Sequence, residues 1–162
     1  MSIKKQRDKP KQQLAKQPMT KTENSWPINC RLNEQEITAG MWVTTQWQLL
    51  GFDLVVDDNS QHVATLELYR DERTDYRFNL SSQNPKLFLI LEQPEDSEKP
   101  KIIRLIASQS VAGQYMDGEY LVLSNDMPLP VQAWMEAFIG RHGELLEIRG
   151  KKRKGAGRSS GQ

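Results

Sequence analysis

An α+β domain is what this sequence predicts: an antiparallel or mixed β-sheet with a short helix and a C-terminal amphipathic helix packed on one face, flanked by disordered basic tails. Three observations carry the prediction. Residues 62–91 read HVATLELYRDERTDYRFNLSSQNPKLFLIL, in which Ala64, Leu66 and Leu68 alternate with Thr65, Glu67 and Tyr69, and Tyr76, Phe78 and Leu80 alternate with Asp75, Arg77 and Asn79. Period-two alternation marks half-buried strands. The run Leu87–Leu91 has no alternation, as expected of a strand covered on both faces. Finally, Val131, Trp134, Met135, Phe138 and Ile139 recur at i, i+3, i+4, i+7 and i+8, the apolar stripe of a helix.

Residues 1–24 are rich in Lys and Gln and poor in large apolar side chains, so they read as a disordered tail, with order beginning near Trp26-Pro27. Ile28–Leu32 suits a short strand. Met41–Leu54 carries Trp42, Trp47, Leu49, Leu50, Phe52 and Leu54 with β-branched residues between, and reads as one strand bent at Gly51, or as two. Trp42 and Trp47, five apart, fall on opposite faces of one unbroken strand, one in the core and the other exposed or at an interface. Asp57–Ser60 is a turn cluster. The two alternating runs then pair as a hairpin, with Leu68 opposite Tyr76 or Phe78; the first register sets Glu67 across from Arg77.

After the polar loop 93–100, Lys101–Ala107 alternates as another strand. Ser108 is placed to cap a short helix bearing Val111, Ala112, Tyr115 and Met116, which Asp117-Gly118 would stop, the glycine taking a left-handed cap position. Glu119–Ser124 is a short strand. Pro130 suits the first turn of the last helix and Gly143 its end. The domain therefore spans 25–148, and 149–162 is a second basic tail, rich in Gly and Ser.

Charge is distributed unevenly. The net +1 conceals nine basic against nineteen acidic side chains in residues 24–148, and thirteen basic against two acidic in the tails. Neither an apolar leader segment nor a stretch of about 20 apolar residues is present, so a soluble cytoplasmic protein without membrane insertion is expected. A lone cysteine, Cys30, excludes an internal disulfide. Catalytic signatures are absent. No Gly-rich phosphate loop occurs, and His62 and His142 stand 80 residues apart without acids or cysteines at ligand spacing. Asp57/Asp58 and Glu95/Asp96 lie in polar loops. The reading is of a non-enzyme with no cofactor and no metal.

Binding surfaces are easier to nominate. The polar face of the expected hairpin offers Glu67, Tyr69, Arg70, Arg77 and Asn79, joined by Trp42 or Trp47, as a candidate contact face for a protein partner. Lys151, Lys152, Arg153 and Lys154 form a candidate docking tail. They would also suit phosphates, but the acidic body repels nucleic acid and the basic runs lack interleaved aromatics.

Laid end to end, several of these pieces resemble an uncharacterised bacterial domain-of-unknown-function family, the DUF3305-type family. They are the Trp42…Trp47 pair, LELYRDERTDYRFNL, KLFLIL, SQSVAGQYMDGEYLVL, MPLPVQAWMEAFIGRH and the basic KKRK, together covering most of residues 26–154. The resemblance implies genes beside those of molybdenum-dependent formate dehydrogenases and their maturation factors. It also implies, for some members, a label linking them to molybdopterin guanine dinucleotide synthesis. That enzyme chemistry needs a phosphate-cradling loop and metal-binding carboxylates, and this chain shows no recognisable version of either. The expectation is an accessory protein whose partner is a formate dehydrogenase subunit or maturation factor. The alternatives are a nucleic-acid binder using the basic tails and an enzyme or handler of the molybdopterin cofactor.

Overall fold

The computed structural model describes residues 20–92 and 99–144. In order, the elements are β1 (Ser25–Ala39), β2 (Trp42–Asp53), β3 (Val63–Glu67), a 3-10 turn (Arg70–Glu72), α1 (Arg73–Leu80), β4 (Lys86–Glu92), β5 (Lys101–Ile106), α2 (Gln109–Met116), β6 (Tyr120–Asp126) and α3 (Leu129–His142). The fold is α+β, with two three-stranded antiparallel sheets in the orders β2-β1-β3 and β5-β4-β6. β3 lies beside β5 and β2 beside β6, so the two sheets meet along both edges around one core, a barrel-like arrangement whose seams carry no strand pairing among the described residues. At the second seam Asn125 Nδ2 donates to the Leu49 carbonyl (2.7 Å).

Strand parity sorts the core. Ile28, Cys30, Ala64, Leu66, Leu87, Leu89, Leu91 and Leu105 share the main cluster inside the barrel. Phe88 and Ile90, the alternate residues of β4, join Ile106 in a second cluster with Ala112 of α2. That is why Leu87–Leu91 lacks alternation: one face looks into the barrel and the other is covered by a helix.

Helix α3 buries Val131, Trp134, Met135, Phe138 and Ile139, the stripe the sequence predicts, and stops at Gly143. Each side chain of this size contributes about 1.5–3 kcal/mol when taken fully out of water. Trp134 stands edge-on to Trp26 (5.3 Å) and Phe138 to Tyr76 (6.2 Å). Trp134 Nε1 also donates to the Thr22 carbonyl (2.9 Å), and Lys21 Nζ lies 4.0 Å from the centre of the Trp26 ring. Contacts with the aromatic pair therefore begin at Lys21 and Thr22, ahead of Trp26. Ser108 caps α2 as expected, its Oγ accepting from the Val111 N–H (3.2 Å). The two predicted helices belong to different clusters, one on each side of β4.

Three expectations are corrected. β1 runs far beyond Ile28–Leu32. Gly118 does not take a left-handed conformation; Gly40, Gly51 and Gly143 are the described glycines with positive φ. The largest correction concerns the hairpin, because Tyr76–Leu80 is not a strand. It lies in helix α1, where Tyr76 and Asn79 turn inward and Phe78 is left 72% exposed. Five residues satisfy both periods, since Tyr76 and Leu80 are also i and i+4. The β3 edge decides between them, being occupied on one side by β1 and flanked on the other by β5. Neither Leu68 register forms; instead the Tyr69 N–H donates to Tyr76 Oη (2.9 Å).

Candidate protein-interaction site

β3 pairs with β1 only as far as Asn29, whereas β1 and β2 continue to pair from Leu32↔Leu49 out to Ala39↔Trp42. Seven residue steps at about 3.3 Å each carry this ribbon roughly 23 Å from the barrel. Every residue from Asn33 to Gln46 is exposed. β-Branched Ile37, Thr38, Val43, Thr44 and Thr45 favour extended backbone, and Gly40 (φ +63°) supplies the left-handed residue that a two-residue hairpin loop needs first.

The root of the ribbon is clamped. Asp53 accepts from Asn29 Nδ2 (3.0 Å) and pairs with Arg31 Nε (3.1 Å), while Asn29 Oδ1 accepts from the His62 N–H (3.0 Å). The register slips between Arg31 and Leu32, and Gly51 sits in that bulge (φ +154°). A Cβ there would stand 2.5 Å from Arg31 Nη2, so a larger residue would push the guanidinium from its place beside Asp53.

Register divides the ribbon into two faces. On one, Glu34 opposes Trp47, Glu36 opposes Thr45 and Thr38 opposes Val43. On the other, Asn33, Gln35, Ile37 and Ala39 oppose Gln48, Gln46, Thr44 and Trp42, with no charge at all. Trp42 and Trp47 do lie on opposite faces, as predicted. Trp47 is half-buried outside the main core, and Trp42 is 76% exposed beside the tip, next to Met41 at 93% and Val43 at 60%. An exposed apolar tip on a polar stalk is the form of an interface anchor.

The remaining candidates are scattered. Glu67 and Tyr69 are exposed neighbours, the Tyr69 hydroxyl donating to Glu67 Oε1 (2.8 Å). That hydrogen bond, with burial behind it, raises the Tyr69 hydroxyl above its usual pKa. Arg70 is exposed in the 3-10 turn. Arg77 never meets Glu67. It forks onto Glu136 (2.7 and 2.9 Å) and reaches Glu144 (2.9 Å), which raises its own pKa and lowers that of Glu136. Arg73 completes the clasp, donating to the His142 carbonyl and to the Gly143 carbonyl (2.7 Å) at the end of α3. Asn79 is buried and donates to the Lys86 and Ala107 carbonyls (2.8 and 2.9 Å) while accepting from the Lys86 N–H (3.0 Å). Arg77 and Asn79 are thus structural joints between α1 and its neighbours. Lys151, Lys152, Arg153 and Lys154 lie outside the described residues. The ribbon's protrusion was not legible, because NEQEITA carries too few apolar residues to announce a strand.

Burial, reinforced by Asp53, pushes the Cys30 thiol up to about 12, which leaves it inert as a nucleophile. Burial, with Lys99 behind it, holds His62 below its usual value. A shallow hollow of about 560 Å³ lies between Asn29, Asp53, Asp57 and Ser60. Asp57 and Ser60 close a turn there, Asp57 Oδ1 accepting from the Asn59 N–H (2.9 Å). Among the described residues no group of three or more His, Cys, Asp or Glu is placed to hold a metal ion, and no helix is long and apolar enough to cross a membrane.

Residues 19–154 match the family described as "Protein of unknown function (DUF3305)", and the chain belongs to that family. No curated protein and no solved structure matches it.

Proposed function

For this member of the family we propose a non-enzymatic accessory role exercised through protein–protein contacts, with the β1–β2 ribbon as the element that engages the partner. The exposure of Met41, Trp42 and Val43 at the end of a clamped stalk carries the reading. Each would gain from burial in a partner's apolar recess, and truncating a buried interface tryptophan typically costs about 2 kcal/mol or more of binding. Glu67, Tyr69 and Arg70 form a lesser polar surface on the barrel. The partner we favour is a cytoplasmic formate dehydrogenase subunit or a factor in its maturation, and the basic run Lys151–Lys154 would assist docking.

The test is an affinity pull-down from the native host grown on formate, comparing the full chain with Trp42→Ala and with a version lacking residues 149–162. Dehydrogenase subunits or maturation factors should be recovered with the full chain and lost with Trp42→Ala. Recovery of nucleic acid that disappears with the tail, or equal recovery of the same proteins with Trp42→Ala, would sink the proposal.

A further inference from the structure

The two long edges of the ribbon differ, and the difference points to a specific occupant. β2 is a terminal strand of its sheet, and its outer edge over Trp42–Gln48 pairs with no described strand. This stretch, WVTTQWQ, contains no charge, proline or glycine. Exposed edges are ordinarily guarded by lysine, proline or bulges, because bare N–H and C=O groups recruit further strands. Here the guard is missing over seven residues.

Which backbone groups face outward follows from the loop. Ala39 and Trp42 flank a two-residue turn and so form a hydrogen-bonded pair. Alternation then turns Thr44, Gln46 and Gln48 toward β1, and Val43, Thr45 and Trp47 toward open solvent. The Leu49 carbonyl, next in that outward series, is the one that accepts from Asn125.

We infer that two copies of this chain pair antiparallel through the outer edges of β2, two-fold about Thr45. Val43 of each then opposes Trp47 of the other, Thr45 opposes Thr45, and the three outward residues exchange about six hydrogen bonds. Aromatic against β-branched is a favourable cross-strand combination, and no charge opposes another anywhere along the seam. The opposite edge is less suited. A two-fold centred on Glu34, Gln35 or Glu36 of β1 sets glutamate against glutamate. A second copy satisfies the β2 edge with its own complement, whereas a charged peptide would leave its charges without partners there.

The four-stranded sheet so formed presents one uncharged face bearing Ile37, Ala39, Trp42 and Thr44 twice over. The pairing stands independently of the partner reading and would double the platform that reading uses. A single strand seam is small beside the 1,200–2,000 Å² of a standard interface, so the association is reversible and depends on concentration.

Light scattering on the full chain over about 1–200 µM tests this. The mass should climb from the 18.7 kDa of one chain toward twice that value. Thr45→Lys should weaken association by up to about fivefold, because like charges then meet at the two-fold. The same substitution sits opposite Glu36 within its own ribbon and supports the hairpin, so circular dichroism should stay unchanged. An equimolar mixture of Thr45→Lys and Thr45→Glu should recover the dimer. A wild-type chain that keeps the single-chain mass throughout, or a Thr45→Lys chain that dimerises as well as wild type, overturns the inference. Loss of partner with Trp42→Ala in a strictly monomeric protein would overturn the pairing alone and leave the proposed function standing.

Discussion

Ile28 and Ile37 sit on the same strand, and their surroundings share almost nothing. Ile28 is fully buried, paired with Ala64 of β3 and packed in the main core, whereas Ile37 is exposed on a two-stranded ribbon whose edges are open. The barrel half of β1 gains its stability from tertiary packing, with Cys30, Leu66 and Leu89 in the same cluster. The ribbon half has only its own ladder, its turn and the clamp at Asp53, and an isolated two-stranded hairpin is marginal in water. A chain that keeps such an element extended and tips it with Met41 and Trp42 has invested apolar surface where folding gains nothing from it. That contrast favours recognition as the ribbon's task.

The contrast can be broken from the barrel side first. Phe138→Ala should cost about 3–5 kcal/mol, read as a lowered midpoint in urea, because it opens a cavity beside Tyr76. Asn79→Ala should cost about 1–3 kcal/mol by the same assay, since it strips partners from the Lys86 N–H and the Lys86 and Ala107 carbonyls. A loss below about 0.5 kcal/mol would show that water replaces those bonds, and that α1 docks more loosely than described.

The clasp between α1 and α3 should give a smaller effect, set by pH. Arg77 lowers the pKa of Glu136 in the folded protein. Its contribution is therefore fully present above the unfolded glutamate value of about 4.3 and fades as pH falls through the lower folded value. For a half-exposed pair the amount is at most about 1 kcal/mol. Urea midpoints taken across that acid range should converge for wild type and Glu136→Gln at the acid end and separate at neutral pH. Smallest of all should be the change in stability of Trp42→Ala, within about 0.5 kcal/mol, in the variant whose partner binding should fall most. Substantial destabilisation would mean that Trp42 packs on the ribbon rather than waiting for a partner.

Some elements were legible because a single period sufficed. The α3 stripe spans more than two turns, and its five apolar residues are the five buried ones. β4 announces itself by continuous apolarity, and Ser108 by its position ahead of an apolar pair. The strand pattern over α1 misleads because Tyr76–Leu80 fits two periods equally, and its true partners are remote in sequence: Glu136 and Glu144 for Arg77, Ala107 for Asn79. The candidate site was half legible. Trp42 and Trp47 stand out by residue type and spacing, but the ribbon that displays them is built largely of Gln, Glu and Thr, which have no core face to reveal.

Local pattern, then, determined which segments are apolar and with what period, along with the helix cap at Ser108, the helix stop at Gly143 and the uneven charge. Those properties reside in neighbours a few residues apart, where side-chain spacing and backbone preference act directly. Tertiary structure decided that β3 pairs with β1, that two sheets close around one core, and that β1 and β2 outrun that core as a ribbon. Each depends on which strand edges are already occupied when the chain closes. Edge occupancy belongs to the assembled sheet, and no stretch of residues encodes it alone.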